Sequence, residues 1–184
     1  MKLSRLLSVF SLVAAAVVIP ATSAAAAPIS ATVSSTGQYC AMYLPTGAHA
    51  CVDRPESIGV ARTAIGINAN GRNESAPTDG TLLTYHIGTV YDDDLYSTAH
   101  GYYEFYVSAD CTASKSDSNW QNQDLGNIGW RDRISSFHSF GNCQTRLFSA
   151  TNFGGSGYPA NGFITDSSNV GSAMNDHARS IKWT

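Results

Sequence analysis

The acid–base groups available for catalysis are His86, His100, His138 and Glu104. An imidazole titrates near neutrality and a carboxylate can be tuned toward it, so each could carry a proton in a reaction. Catalysis also needs a nucleophile or a bound ligand beside them. The chain has no Gly-x-Ser-x-Gly elbow, no His-Glu-x-x-His helix and no glycine-rich phosphate loop ahead of a lysine. A histidine on a strand with polar neighbours is ordinarily solvated or packed, so no catalytic residue is assigned and the chain reads as a non-enzyme. Asp92-Asp93-Asp94 is a second chemical cluster. Consecutive residues of an extended chain point to opposite sides, so the three cannot face one ion and are expected to form a solvated turn.

The elements that carry these groups read as strands. Thr81 to Tyr91 alternates, with Leu83, Tyr85, Ile87 and Tyr91 on one side and Thr84 and His86 on the other. Tyr102 to Val107 groups Tyr103, Phe105 and Val107, and the two strands are expected to pair across a loop of about ten residues. Asn68 to Gly80, with Asn70-Gly71 and Asp79-Gly80, reads as a loop. Asp53-Arg-Pro-Glu56 has capping-box spacing ahead of a short helix reaching Val60 or Thr63. Tyr85, Tyr91, Tyr96, Tyr102, Tyr103 and Tyr106 support two readings, a contact surface for carbohydrate or protein and ordinary filling of a sheet.

The 184 residues carry a net charge of −3, with 14% charged residues and nine Tyr, which suits an exported all-β protein. Lys2 and Arg5, an apolar run from Leu6 to Ile19 and Ala24-Ala25-Ala26 form the pattern of a secretory signal over residues 1–26. The run is shorter than the roughly 20 residues of a membrane span. About 158 residues follow, enough for one well-filled core or a small domain with an extension. Without Lys2 and Arg5 the basic count falls from 11 to 9 against 14 acids, a net charge of −5. Nucleic acid is therefore not an expected partner, nor is a membrane once the signal is cleaved. Four cysteines in an exported chain make two disulfides in one of three connectivities. The pairing favoured is Cys40–Cys51 with Cys111–Cys143. The first has a geometric reason: with Leu44-Pro-Thr-Gly47 as a four-residue turn, Tyr43 faces Ala48 and Cys40 faces Cys51. Without Cys-x-x-Cys pairs, zinc is not expected.

The clearest pattern is C-terminal. Phe148 is followed seven residues later by Gly155, with Asn152-Phe153-Gly154 between and Ser180 downstream. The glycines permit a sharp fold, the aromatic covers it, and Ser180 can bond backbone groups that the bend leaves unpaired. Trp130–Phe137 matches Met174–Ile181 at a separation of 44 residues (130 to 174), so this half is duplicated. These features resemble the beta/gamma-crystallin family, whose Greek-key motif has an aromatic, six residues, a Gly, and later Asn/Asp-Asn/Asp-x-x-Ser/Thr-Ser. The resemblance covers roughly residues 102–184. In the first copy Phe105 or Tyr106 would supply the aromatic, Ala109-Asp110-Cys111-Thr112 lacks the Gly, and Cys111 is expected to replace the turn with a disulfide.

The resemblance implies an all-β, beta/gamma-crystallin-like Greek-key sandwich over 102–184; ahead of it, the small, Ser/Thr-rich stretch 27–37 reads as a flexible leader and 38–101 as an N-terminal β-rich extension. It also implies calcium, bound through both motifs by carbonyls, carboxylates or amides and hydroxyls. The first motif would offer Asp132, the Arg133 carbonyl, Ser135 and Ser136, and the second Asn175, Asp176, the His177 carbonyl and Ser180. Arg131 and Arg179 stand where Asn/Asp and Ser/Thr belong, and a guanidinium is always charged. One site is therefore expected to be lost, and a weak calcium site is expected around Asp132, Arg133, Ser135, Asn175 and Asp176, with no cofactor required. The resemblance extends to secreted bacterial peptidase inhibitors and killer-toxin-like proteins. It implies an extracellular protein that inhibits a protease through the loop His138, Ser139, Phe140, Gly141, Asn142 and Cys143. The alternative is a non-inhibitory calcium-binding or structural/interaction module.

Overall fold

The computed structural model describes residues 32–34, 36–68, 71, 84–112 and 118–184. The signal over 1–26, most of the leader, nearly all of the loop over 68–80 and the start of the strand expected from Thr81 lie outside the described residues. Among the described residues ten strands and a short helix follow in order: β1 (Tyr39–Tyr43), β2 (Ala48–Val52), α1 (Ile58–Ala64), β3 (Tyr85–Tyr91), β4 (Tyr102–Val107), β5 (Trp120–Asn122), β6 (Ser136–Ser139), β7 (Thr145–Phe148), β8 (Gly157–Tyr158), β9 (Asp166–Ser167) and β10 (Ser180–Trp183). Among the described residues no helix is long and apolar enough to cross a membrane.

A six-stranded sheet has the order β2-β1-β4-β3-β6-β9 and a four-stranded sheet the order β5-β10-β7-β8. The order contains a duplication. β3 to β6 form one unit and β7 to β10 another, and in each the first, second and fourth strands share a sheet in the order second, first, fourth. The third strand crosses to the opposite sheet, so β9 lies beside β6 and β5 beside β10. Two interlocked Greek keys thus close one sandwich, and the all-β expectation holds. The expected start at residue 102 falls between β3 and β4, which pair antiparallel.

Between the sheets lie Tyr103, Phe105, Trp130, Phe137, Leu147, Ile181 and Trp183, all fully buried. The inward residues of β4, Tyr103, Phe105 and Val107, are those the alternation singled out. A second cluster joins Ile58 and Ala61 of α1 to Tyr39, Ala41, Tyr43, Val52 and Tyr106 on the outer face of the larger sheet. β1 pairs in parallel with β4, so hairpin and helix extend the sandwich at one edge. The hairpin register is as expected, with Tyr43 opposite Ala48 and Cys40 opposite Cys51. Both disulfides are Cys40–Cys51 and Cys111–Cys143.

Three local expectations are corrected. A bulge between His86 and Gly88 shifts the phase of β3, so Ile87 and Val90 enter the core while Tyr91 turns to the outer face with His86 and Thr89. Gly88 is needed there because the Trp183 indole packs where a Cβ would stand. Asp53 caps nothing: the helix begins with a 3₁₀ turn at Pro55 after Arg54, and no side chain caps it. The aromatic of the first unit is Tyr91, not Phe105 or Tyr106. Tyr91 stands edge-on to Tyr96 at 5.8 Å as Phe148 does to Phe153 at 5.7 Å, each pair separated by 57 residues (91 to 148).

The bent hairpins after β3 and β7 have the same construction. Leu95 and Tyr96 have φ of 56° and 60°, and Asn152 and Phe153 have 54° and 61°. This left-handed region costs a residue with a Cβ roughly 1–2 kcal/mol. A buried hydroxyl ties each bend. Ser136 Oγ accepts from Tyr96 N–H at 3.1 Å and donates to the Asp93 carbonyl at 2.6 Å. Ser180 Oγ accepts from Phe153 N–H at 3.0 Å and donates to the Ala150 carbonyl at 2.7 Å. Ser136→Ala and Ser180→Ala are each expected to lower stability by about 1–3 kcal/mol, because each leaves backbone donor and acceptor unpaired. Urea unfolding checks this, and midpoints equal to wild type would show that the ties are dispensable.

Candidate functional site

The loops 131–135 and 175–179, one before each tied serine, meet reciprocally. Asp132 N–H donates to the Ala178 carbonyl at 2.9 Å, and Asp176 N–H donates to the Ile134 carbonyl at 3.2 Å. Asp132 and Asp176 both sit at positive φ, 58° and 55°. Ser135 N–H bonds the Tyr91 carbonyl as Arg179 N–H bonds that of Phe148. Backbone geometry therefore makes Arg179 the counterpart of Ser135. Ser135 Oγ lies 3.4 Å from Asp176 Oδ1, whereas Arg179 Nε donates to Asp132 Oδ1 at 3.0 Å.

The remaining acids around these loops are also engaged. Arg133 donates to Asp92 at 2.8 Å and lies over the Trp130 ring at 4.4 Å. Arg131 donates to Asp124 at 2.7 Å, and this bond holds the Asp124 carboxyl below its ordinary range. The three consecutive aspartates diverge as expected: Asp92 meets Arg133, Asp93 meets His100 at 2.7 Å and Asp94 accepts from Asn169 at 2.7 Å. Asp176 does not pair with an arginine. Its partners are Ser135 and the Asn175 amide, which donates to Oδ2 at 2.9 Å.

Three solved structures are similar to this architecture. A betagamma-crystallin domain from Flavobacterium johnsoniae is 24% identical over 53% of this chain and 93% of its own, with a TM-score of 0.36. One from Clostridium beijerinckii is 17% identical over 53% and 95%, with a TM-score of 0.38. The N-terminal domain of Protein S is 14% identical over 53% and 94%, with a TM-score of 0.39. The chain's structural neighbours are betagamma-crystallin domains. No protein-family model and no curated protein matches the chain.

Calcium, the ion expected from the sequence resemblance, takes several hard oxygen donors. The half with Ser135 Oγ and the Asp176 carboxylate fits that chemistry. The half with Asp132 does not, because the Arg179 guanidinium already occupies its carboxylate. Ser136 and Ser180 are committed to the hairpin ties, and the Arg133 side chain is turned to Asp92.

The sequence-derived loop resolves into a strand end and a tip. His138 and Ser139 belong to β6. His138 stacks on Tyr96 at 3.7 Å and meets Asp166 at 2.8 Å, and Ser139 bonds Thr145 in the interior at 2.7 Å. Only Phe140, Gly141 and Asn142 of the six are exposed. Asp110, which sequence reasoning passed over, holds the tip: its carboxylate accepts from Cys111 N–H at 2.8 Å, Asn142 N–H at 3.1 Å and Asn142 Nδ2 at 3.0 Å. Gly141, at φ 63°, leaves room for that carboxylate.

The four acid–base groups separate into three places. His100 is on the surface with Asp93, and His138 lies beside Asp166. His86 and Glu104 line one cleft. Glu104 is gripped by Arg62 at 2.8 and 2.6 Å, and Tyr106 donates to it at 2.9 Å. The sequence carried half of this signal, since alternation puts Glu104 on one face with Tyr102 and Tyr106. The partner, 42 residues away on α1, left none. His86 Nε2 lies 3.1 Å from the Gly88 carbonyl, which can only accept, and 3.0 Å from Thr89 Oγ1. Burial holds the imidazole pKa down to about 4. Between that value and an unfolded value near 6.5, the unfolded chain binds a proton that the folded chain refuses. This contribution is complete above about pH 6.5 and is lost as pH falls toward 4, by up to about 3 kcal/mol. Wild type is expected to lose more stability than His86→Gln between about pH 7 and pH 4.5 in denaturant titrations. Parallel losses would show that the fold does not hold His86 neutral.

Proposed function

We propose that the chain is an exported peptidase inhibitor that presents the tip Phe140–Asn142. The observation that carries the reading is the clamp beneath the tip, where the Cys111–Cys143 bridge and the three bonds to Asp110 converge on four residues. Cys143 N–H also closes the turn onto the Phe140 carbonyl at 3.2 Å. A loop ordered before binding loses little conformational entropy when it docks, so more of its contact energy survives as affinity. Phe140, 38% exposed, supplies an apolar anchor at the tip. Two disulfides suit an oxidising, extracellular setting.

Purified protein titrated into serine and metallopeptidases is expected to inhibit at least one with equimolar stoichiometry. Asp110→Ala, which frees the tip but leaves the disulfide, is expected to weaken that inhibition at least tenfold. A panel that stays fully active at equimolar excess overturns the proposal, as does an Asp110→Ala variant of undiminished potency.

A second reading, a calcium-binding module, is favoured by Ser135 Oγ and Asp176 Oδ1 at 3.4 Å. It expects calcium to raise Tm reversibly by mass action on the native state. Asp176→Asn should abolish the rise, and Arg179→Ser, which recreates in the other loop the hydroxyl–carboxylate pair, should enlarge it. No calcium effect on Tm or in calorimetry for either wild type or Arg179→Ser removes this reading.

A further inference from the structure

Among the described residues, the outer face of the larger sheet is only partly covered. α1 packs over β1 and β2, and the rest of the face, on β3 and β4, is left to a cleft of about 260 Å³. The bulge in β3 builds it by bringing His86, Thr89 and Tyr91 to the same side. Its aromatic surfaces are Tyr91 and Tyr102, 6.3 Å apart, and Phe140 stacked on His86 at 4.3 Å. Thr98 and Tyr102 supply hydroxyls, and the nearly buried Thr89 hydroxyl, 3.0 Å from His86 Nε2, stands behind them.

Charge decides the ligand class. Among the described residues that line the cleft the one carboxylate, Glu104, is neutralised by two-point contact with Arg62, and none is a lysine or arginine. A cation would compete with Arg62 for an acid whose oxygens already accept three hydrogen bonds, and an anion would meet no positive partner. Burial and the Glu104 charge push the Tyr102 phenol up, so it stays a neutral donor, and His86 is neutral at physiological pH. The volume falls below the roughly 300 Å³ at which drug-sized pockets begin, so it suits a single ring. Aromatic walls with hydroxyl rims match a ring with an apolar C–H face and a hydroxyl edge. The aromatic surface also continues outward: Tyr96 stands 5.8 Å from Tyr91 and stacks on His138 at 3.7 Å.

We propose that this cleft binds one ring of a neutral saccharide, and that the Tyr91–Tyr96–His138 strip carries the next ring of the same chain. The site does not depend on inhibition, since only Phe140 is shared with the loop tip. Soluble glucose, galactose, mannose and N-acetylglucosamine, with their β-linked trisaccharides, are titrated into the folded protein and followed by amide NMR shifts. At least one sugar is expected to give saturable shifts at Thr89, Tyr91, Tyr102 and Phe140, with its trisaccharide at least tenfold tighter. Thr89→Val, which removes a hydroxyl at nearly constant volume, is expected to weaken binding at least fivefold while its amide spectrum stays that of the folded protein, and Tyr91→Ala at least tenfold. If Tyr91→Ala loses its fold, Thr89→Val alone decides. The proposal is overturned if no sugar gives saturable shifts up to tens of millimolar, if the shifts map elsewhere, or if Thr89→Val binds as wild type does.

Discussion

A buried serine hydroxyl inside each bent hairpin is the interaction from which the rest of the sandwich follows. Turning the chain after β3 and β7 places two consecutive side-chain-bearing residues in the left-handed region and leaves an N–H and a C=O facing inward. A hydroxyl is the smallest group that can donate to one and accept from the other at once. With the bend fixed, the amide just before the tied one reaches across to the other unit. Leu95 N–H bonds the Ser168 carbonyl beyond β9, and Asn152 N–H bonds the Gln123 carbonyl beyond β5. Each tie therefore holds a bend that holds the strand lent by its neighbour. Neither unit closes alone.

The duplicated backbone has then been put to unequal use. At equivalent places one loop keeps Ser135 facing Asp176, and the other sets Arg179 against Asp132. Both members of the second pair are substantially exposed, so the pair adds little stability in water. Its consequence is electrostatic: a tethered charge faces the Asp132 carboxylate without being drawn from solution, whereas the side-chain partners of the Asp176 carboxylate, Ser135 and Asn175, are neutral. The asymmetry lies in side chains alone, because the reciprocal amide bonds are retained on both sides.

The sequence is most legible where chemistry is local. The turn after Tyr43 determines which cysteines face each other, and the 44-residue repeat exposes the duplication and the departure at Arg179. Legibility fails where one residue changes phase. The bulge at His86 sends Tyr91 to the face opposite the one alternation assigns, and with it the hairpin aromatic that matches Phe148. A search for Tyr91-x₄-Tyr96 against Phe148-x₄-Phe153 could have found the correspondence, whereas the Arg62–Glu104 pair depends on parallel pairing of β1 with β4, which no spacing announces.

That pairing gives the N-terminal extension a chemical consequence as well as a packing role. Without β1 and α1, Glu104 would be a bare carboxylate among aromatic rings, an arrangement that attracts cations through both charge and ring quadrupole. Removing such a charge from water is costly unless it is paired and hydrogen-bonded. Arg62 meets the acid with two parallel bonds and Tyr106 adds a third, so the floor of the cleft is polar without a net charge. What the cleft selects is therefore set by a helix packed on the far side of β4 from β3, not by the strands that form its walls. The extension and the sandwich share the cleft, and a change in either alters what it can hold.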